Sequence, residues 1–116
     1  VKNMIIRHDG FKVFPSAIEE AIVTHEAVET CAVVGIKDEG HVQGKLPKAF
    51  IVLKPEYQEN ADLILNEIKR ICESKLQEYA VPYEYEIRTE LPYTSVGKID
   101  RLSLTNEGEK TKMIIK

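Results

Sequence analysis

Cysteine is scarce in this chain: Cys31 and Cys72 are the only two in 116 residues. Both sit in apolar patterns, so they read as buried free thiols in a reducing, cytoplasmic setting rather than as a disulfide framework. Positive charge is not in excess. Lys and Arg number 16 against 19 Asp and Glu, and the net charge of −3 gives no basic field for nucleic acid. No apolar run approaches the roughly 18 residues that a membrane span needs. His8, His25 and His41 share no ligand spacing with one another or with the cysteines, which argues against a metal site. The opening residues, VKNMIIRHDG, lack the architecture of a signal peptide and an initiator methionine, so the chain reads as a fragment or a processed product. Internal repeats and low-complexity segments are missing too.

What remains is the composition of an ordinary globular domain, 43% apolar and 30% charged. Its elements follow from periodicity and turn residues. NMIIRHDGFKVF has two apolar, β-branched runs around Asp9-Gly10 and reads as a hairpin. In PSAIEEAIVTHE, Ser16 and Glu19 have the spacing of a capping box, Pro15 helps to stop the preceding strand, and Ile18, Ala21, Ile22 and His25 share a helical face. VETCAVVGI reads as a buried strand, DEGHVQGKLPK as a loop, and AFIVLK as a second strand. The segment from Asn60 to Ala80 reads as the longest helix. Asn60 or Asp62 serves as its cap, and Leu65, Ile68, Cys72, Leu76 and Tyr79 form its apolar stripe. YEYEIR alternates, with Tyr83, Tyr85 and Ile87 on one face and Glu84, Glu86 and Arg88 on the other. IDRLSL begins a short final turn of helix. The tail, EGEKTKMIIK, is charged and then apolar, which fits either a frayed end or an added edge strand. The expected fold class is α+β: a small central antiparallel sheet with flanking helices, preceded by a two-stranded hairpin.

One loop stands out. In LPYTSVGKIDR, residues 91–101, Pro92 limits the backbone and Gly97 permits a positive φ, so Lys98 stands on a constrained turn. A lysine there is a compact charge suited to phosphate or carboxylate oxygens. The stretch is not a nucleotide-binding P-loop, because Ile99 follows the lysine where that motif needs Ser or Thr. VQGKLPK, around Gly44 and Lys45, fails the same test and reads as a connection.

Three segments taken together resemble the C-terminal domain of the adenylate-forming enzymes: acyl-CoA synthetases, peptide-synthetase adenylation domains and luciferases. NMIIRHDGFKVFPSAIEEAI is similar to the family's hinge and hairpin-helix motif. HEAVETCAVVGIKDEGHVQGKLPKAFIVLK is similar to the stretch that leads a helix end into two core strands. YAVPYEYEIRTELPYTSVGKIDR is similar to its closing L-P-x-T-x-x-G-K-[IV]-x-R motif. The likeness covers about residues 2 to 104. It implies a single mobile C-terminal domain over 1–116, with hinge and hairpin in 1–14, an α+β body in 15–104 carrying the lysine loop 91–101, and a tail in 105–116.

The resemblance also implies a mechanism. Such enzymes join a carboxylic acid to AMP and then pass the acyl group to a thiol, and the small domain rotates between the two steps. The implied activity is that of an ATP-dependent carboxylate–CoA ligase. ATP with Mg2+, CoA and the acid are held mainly by the chain's own N-terminal domain, so this fragment alone is inactive. Lys98 matches the adenylation lysine, Gly97 and Thr94 support its loop, and Asn3 falls at the hinge, where many relatives have Asp or Lys. Arg7, Gly10 and Lys12 lie on the hairpin that turns inward for the thioester step, on the CoA or phosphate side. Asp9-Gly10 stands where many acyl-CoA synthetases have two glycines, and Ala17 stands where Glu is usual. Two alternatives stay open: the same domain of an enzyme that loads a carrier protein's pantetheine arm, and a freestanding small α+β ligand-binding module.

Overall fold

The computed structural model describes residues 4–7, 9–37 and 44–106. A short hairpin, β1 (Ile5–Ile6) and β2 (Lys12–Val13), leads into helix α1 (Pro15–Ile22). Strands β3 (Val28–Lys37) and β4 (Lys45–Leu53), helix α2 (Ala61–Lys75) and strand β5 (Glu84–Arg88) follow. Short 3-10 turns lie at Pro55–Asn60 and Glu78–Ala80. Residues 101–106 are helical, as the sequence suggested.

The α+β class and the leading hairpin are as expected, but the sheet is mixed. Its order is β3-β4-β5; β3 and β4 run antiparallel, and β4 and β5 run parallel. The physical reason is the connection: β5 follows β4 only after α2, and a helical crossover of that length returns the chain in the same direction. β4 also begins earlier than its sequence suggested. Residues 45–48, KLPK, are strand rather than loop, and Pro47 lies opposite Gly35. Proline is tolerated there because the β4–β5 ladder starts only at Lys48 and Glu84. The Pro47 carbonyl points toward β5 and accepts from Tyr83 N–H at 2.7 Å, so the missing N–H points to the same side, ahead of the ladder.

Alternation along the strands builds two cores. Cys31, Val33, Ala49, Ile51 and Leu53 face α1 and α2, where they meet Ile18, Ile22, Ile64, Ile68 and Cys72. The hairpin joins this face through Ile5 and Val13. Ala32, Val34, Ile36, Phe50 and Val52 point the other way and are covered by Leu91 and Leu104, with Ile99 at the margin. Each large apolar side chain so buried stabilises the fold by about 1.5–3 kcal/mol. The hairpin and the lysine loop are therefore rooted on opposite faces of one sheet.

The helix starts differ from expectation. Ser16 and Glu19 form no capping box. α1 begins at Pro15 with Phe14 as its N-cap, without a side-chain cap, and proline at the first helical position costs no hydrogen bond. Asn60 does sit at the N-cap of α2, but its side chain makes no capping bond. On α2 the buried residues are Ile64, Ile68 and Cys72, while Leu65, Leu76 and Tyr79 are partly buried against the same core. On β5, Tyr85 and Ile87 pack on that core, and Glu84 and Glu86 flank the buried Lys48 ammonium at 3.5 and 3.0 Å. No helix among the described residues is long and apolar enough to cross a membrane.

Candidate functional site

The lysine loop is a miniature hairpin with an apolar root. Leu91 is buried, and Tyr93 pairs with Ile99 in an antiparallel bridge. Asp100 N–H donates to the Pro92 carbonyl at 2.9 Å, and Thr94 N–H donates to the Lys98 carbonyl at 2.7 Å. Gly97 N–H closes the tip on the Thr94 carbonyl at 3.0 Å, and the Thr94 hydroxyl accepts Lys98 N–H at 3.3 Å. Gly97 has a φ of +86°, a conformation in which L side chains are strained. Lys98 is exposed, and its ammonium makes no ion pair with any described residue. A positive charge is thus held at the end of an ordered turn and left free to meet an incoming anion.

Below the loop, Asp100 caps the closing helix. Its carboxylate accepts Ser103 N–H at 3.1 Å and the Ser103 hydroxyl at 2.9 Å. Arg101 then reaches around the free edge of β3. Its Nη1 and Nη2 donate to the two carboxylate oxygens of Glu19 at 2.7 and 3.2 Å, and Nη1 also donates to the Val33 carbonyl at 3.0 Å. Glu19 in turn accepts Val33 N–H at 2.8 Å. Both edge groups of Val33 are satisfied, and Glu19 is engaged here rather than at the helix start. Neither role is visible in the sequence, where Glu19 and Arg101 stand 82 positions apart. The closing arginine of the LPYTSVGKIDR motif was the only hint of it.

The N-terminal hairpin turns at Gly10, whose φ is +87° and whose N–H donates to the Arg7 carbonyl at 2.9 Å. Arg7 N–H donates to the Phe11 carbonyl at 3.0 Å. The Arg7 guanidinium is not a free phosphate contact in this state. It donates to the Tyr79 carbonyl at 2.8 Å and pairs with Asp9 at 3.2 Å. The Phe11 ring stacks on Tyr79 at 4.5 Å between centroids. Lys12 is exposed and unpaired among the described residues. Asn3 lies outside the described residues, as do His8, His41 and the tail from residue 107.

Other groups serve the core. Burial, reinforced by the Glu19 carboxylate, pushes the Cys31 thiol up to about 12. Burial also raises Cys72 and Tyr85. Such thiols stay protonated and poorly nucleophilic near neutral pH. Both cysteines are free and buried. No group of three or more His, Cys, Asp or Glu among the described residues could hold a metal ion. One cleft of about 540 Å³ lies between α2 and the start of β5, and another of about 300 Å³ lies beside β1, β3 and Arg101; neither is lined by Lys98.

These features coincide with a known domain. The profile of the AMP-binding enzyme C-terminal domain matches residues 17–98, and the chain belongs to that family. It is 40% identical over 106 residues to a long-chain-fatty-acid–CoA ligase of Bacillus subtilis, a match that spans 91% of this chain and 18% of that protein. It is 39% identical over 100 residues to a benzoate–CoA ligase of Thauera aromatica, spanning 86% of this chain and 18% of that one. Among solved structures, the anthranilate CoA ligase AuaEII in complex with anthranoyl-AMP superposes with a TM-score of 0.83 at 35% identity, over 95% of this chain and 20% of that one. The chain spans about a fifth of the length of the relatives it matches.

Proposed function

We propose that this chain is the mobile C-terminal domain of an AMP-forming acid–CoA ligase, with Lys98 serving adenylation and the N-terminal hairpin serving thioester formation. The observation that carries this reading is the rooting of the two elements on opposite faces of one sheet. A domain so built offers either element to an active site by rotating, without refolding. The CoA-ligase names of its relatives favour CoA over a carrier protein as acceptor.

In the adenylation step a carboxylate oxygen attacks the α-phosphorus of ATP, the bond to pyrophosphate breaks and pyrophosphate leaves; two anions approach, and negative charge builds on the phosphoryl oxygens. A preorganised cation meeting that charge contributes on the order of 10²–10³ in rate. Lys98 suits that role, since it is exposed and unpaired, and Gly97 and Thr94 fix its backbone. ATP with Mg2+ would be held mainly by the preceding domain. In the second orientation, Gly10 at the hairpin turn leaves room for a thiol arm, since a Cβ there would meet nothing within 4 Å. Lys12 supplies a free cation near phosphate, while Arg7 braces the hairpin against Tyr79. Asn3 serves as the hinge on the strength of its place in the sequence.

The intact enzyme, offered dodecanoate, benzoate or 4-hydroxybutyrate with ATP, Mg2+ and CoA, should form an acyl-CoA and release AMP and pyrophosphate. Release of ADP instead, or no CoA-dependent product across a wider panel of carboxylic acids, would overturn the reading.

A further inference from the structure

We infer that Glu19 and Arg101 form a positioning clamp that sets the lysine loop against α1 and the edge of β3. The inference rests on the adenylation reading of Lys98. Three observations carry it. Arg101 lies three residues beyond Lys98, at the first residue of the closing helix, so its anchorage fixes where the loop's second leg ends. Its guanidinium takes both oxygens of Glu19, at 2.7 and 3.2 Å, and the Val33 carbonyl at 3.0 Å, a forked geometry that a lysine cannot reproduce. Glu19 is itself fixed by Val33 N–H at 2.8 Å, so both partners are tied to the same residue of the same strand.

The clamp also crosses the sheet. Leu91, Ile99 and Leu104 root the lysine loop on one face, whereas α1 packs on the other and follows the hairpin directly. Glu19–Arg101 is a polar link between α1 and the helix that closes the lysine loop, at the edge of β3. The side chains are 19% and 32% exposed, which leaves the pair shielded enough to hold one geometry. Apolar packing of Leu91 and Leu104 seats the loop on the sheet, and the forked, charge-assisted contact adds a directional constraint to it. A shift of about 1 Å in a charge-bearing group costs on the order of 10²-fold in a reaction that depends on its placement.

The test uses the intact enzyme and whichever of dodecanoate, benzoate and 4-hydroxybutyrate it adenylates. Arg101→Ala, Arg101→Lys, Glu19→Gln and Lys98→Ala are compared in two half-reactions: acid-dependent ATP–pyrophosphate exchange, and acyl-CoA formation from supplied acyl-adenylate. Hydrogen exchange of residues 91–99 is read alongside and needs no acid. Arg101→Ala and Glu19→Gln should each slow adenylation by about tenfold or more, leave thioester formation within about twofold, and speed exchange in the loop. Arg101→Lys should recover only part of the loss. Because both changes break one clamp, the double variant should be no worse than the poorer single. Parallel loss of both half-reactions would assign the pair a merely structural role and overturn the inference. Unchanged adenylation or unchanged loop exchange in Arg101→Ala and Glu19→Gln, with Lys98→Ala inactive in adenylation, would overturn it while sparing the reading of Lys98. If Lys98→Ala adenylates normally, that reading falls first and the inference with it.

Discussion

Replacing Gly97 separates backbone conformation from packing. Its φ is +86°, and a Cβ built there would meet nothing within 4 Å. Space is free, so the cost of a side chain comes from the positive φ alone, about 1–2 kcal/mol for an ordinary L residue. Asparagine tolerates this region better than alanine, and β-branched valine tolerates it worse. A cost of that size changes the ratio of ordered to disordered loop by about 5- to 30-fold. The effect reaches the lysine because Gly97 N–H and Lys98 N–H both end on Thr94, the first through its carbonyl and the second through its hydroxyl. ATP–pyrophosphate exchange by the intact enzyme, at saturating acid and ATP, should therefore fall in the order Gly, Asn, Ala, Val. The alanine variant should lose up to about 30-fold, with thioester formation from supplied adenylate unaffected. An order set by side-chain size, with Asn below Ala, or a valine variant equal to the unaltered enzyme, would refute the conformational argument.

Three further predictions concern stability and reactivity. Cys31 is raised by burial from its ordinary 9.0 up to about 12, so its contribution to stability is complete below about pH 9 and is lost as pH rises toward 12; urea midpoints should decline on that alkaline limb, and less so in Cys31→Ala. The same burial should keep Cys31 and Cys72 unreactive toward iodoacetamide at neutral pH until the fold is opened by urea, and rapid labelling of the native chain would contradict it. Asp100→Ala removes the cap of the closing helix and should cost about 1 kcal/mol, read as a shift in the urea midpoint; Asp100→Asn, which keeps a cap acceptor, should recover most of it.

Much of the fold was legible because it follows from local periodicity and turn chemistry. Asp9-Gly10 announced the hairpin, the stripe through Ile68 and Cys72 announced α2, and the alternation in YEYEIR announced which side of β5 meets the core. What was illegible depends on partners far away in the chain. Glu19 has the spacing of a capping box with Ser16, yet its carboxylate is taken by Arg101, 82 residues on. Pro47 reads as a loop residue because a strand interior normally needs its N–H; only the late start of β5 makes it acceptable. The parallel pairing of β4 with β5 is likewise a property of the crossover, not of either strand's sequence. At the candidate site, Gly97, Thr94 and Lys98 were visible as a motif. The bracing of Arg7 by Tyr79 was not, because no pattern links residues 72 positions apart.

The most direct test of the two-face account is Lys98→Ala in the intact enzyme, with both half-reactions measured on the same preparation. Loss of acid-dependent ATP–pyrophosphate exchange by about 10²-fold or more, with acyl-CoA formation from supplied acyl-adenylate within about twofold of the unaltered enzyme, is the predicted result. Equal loss of both half-reactions, or retention of both, would contradict it.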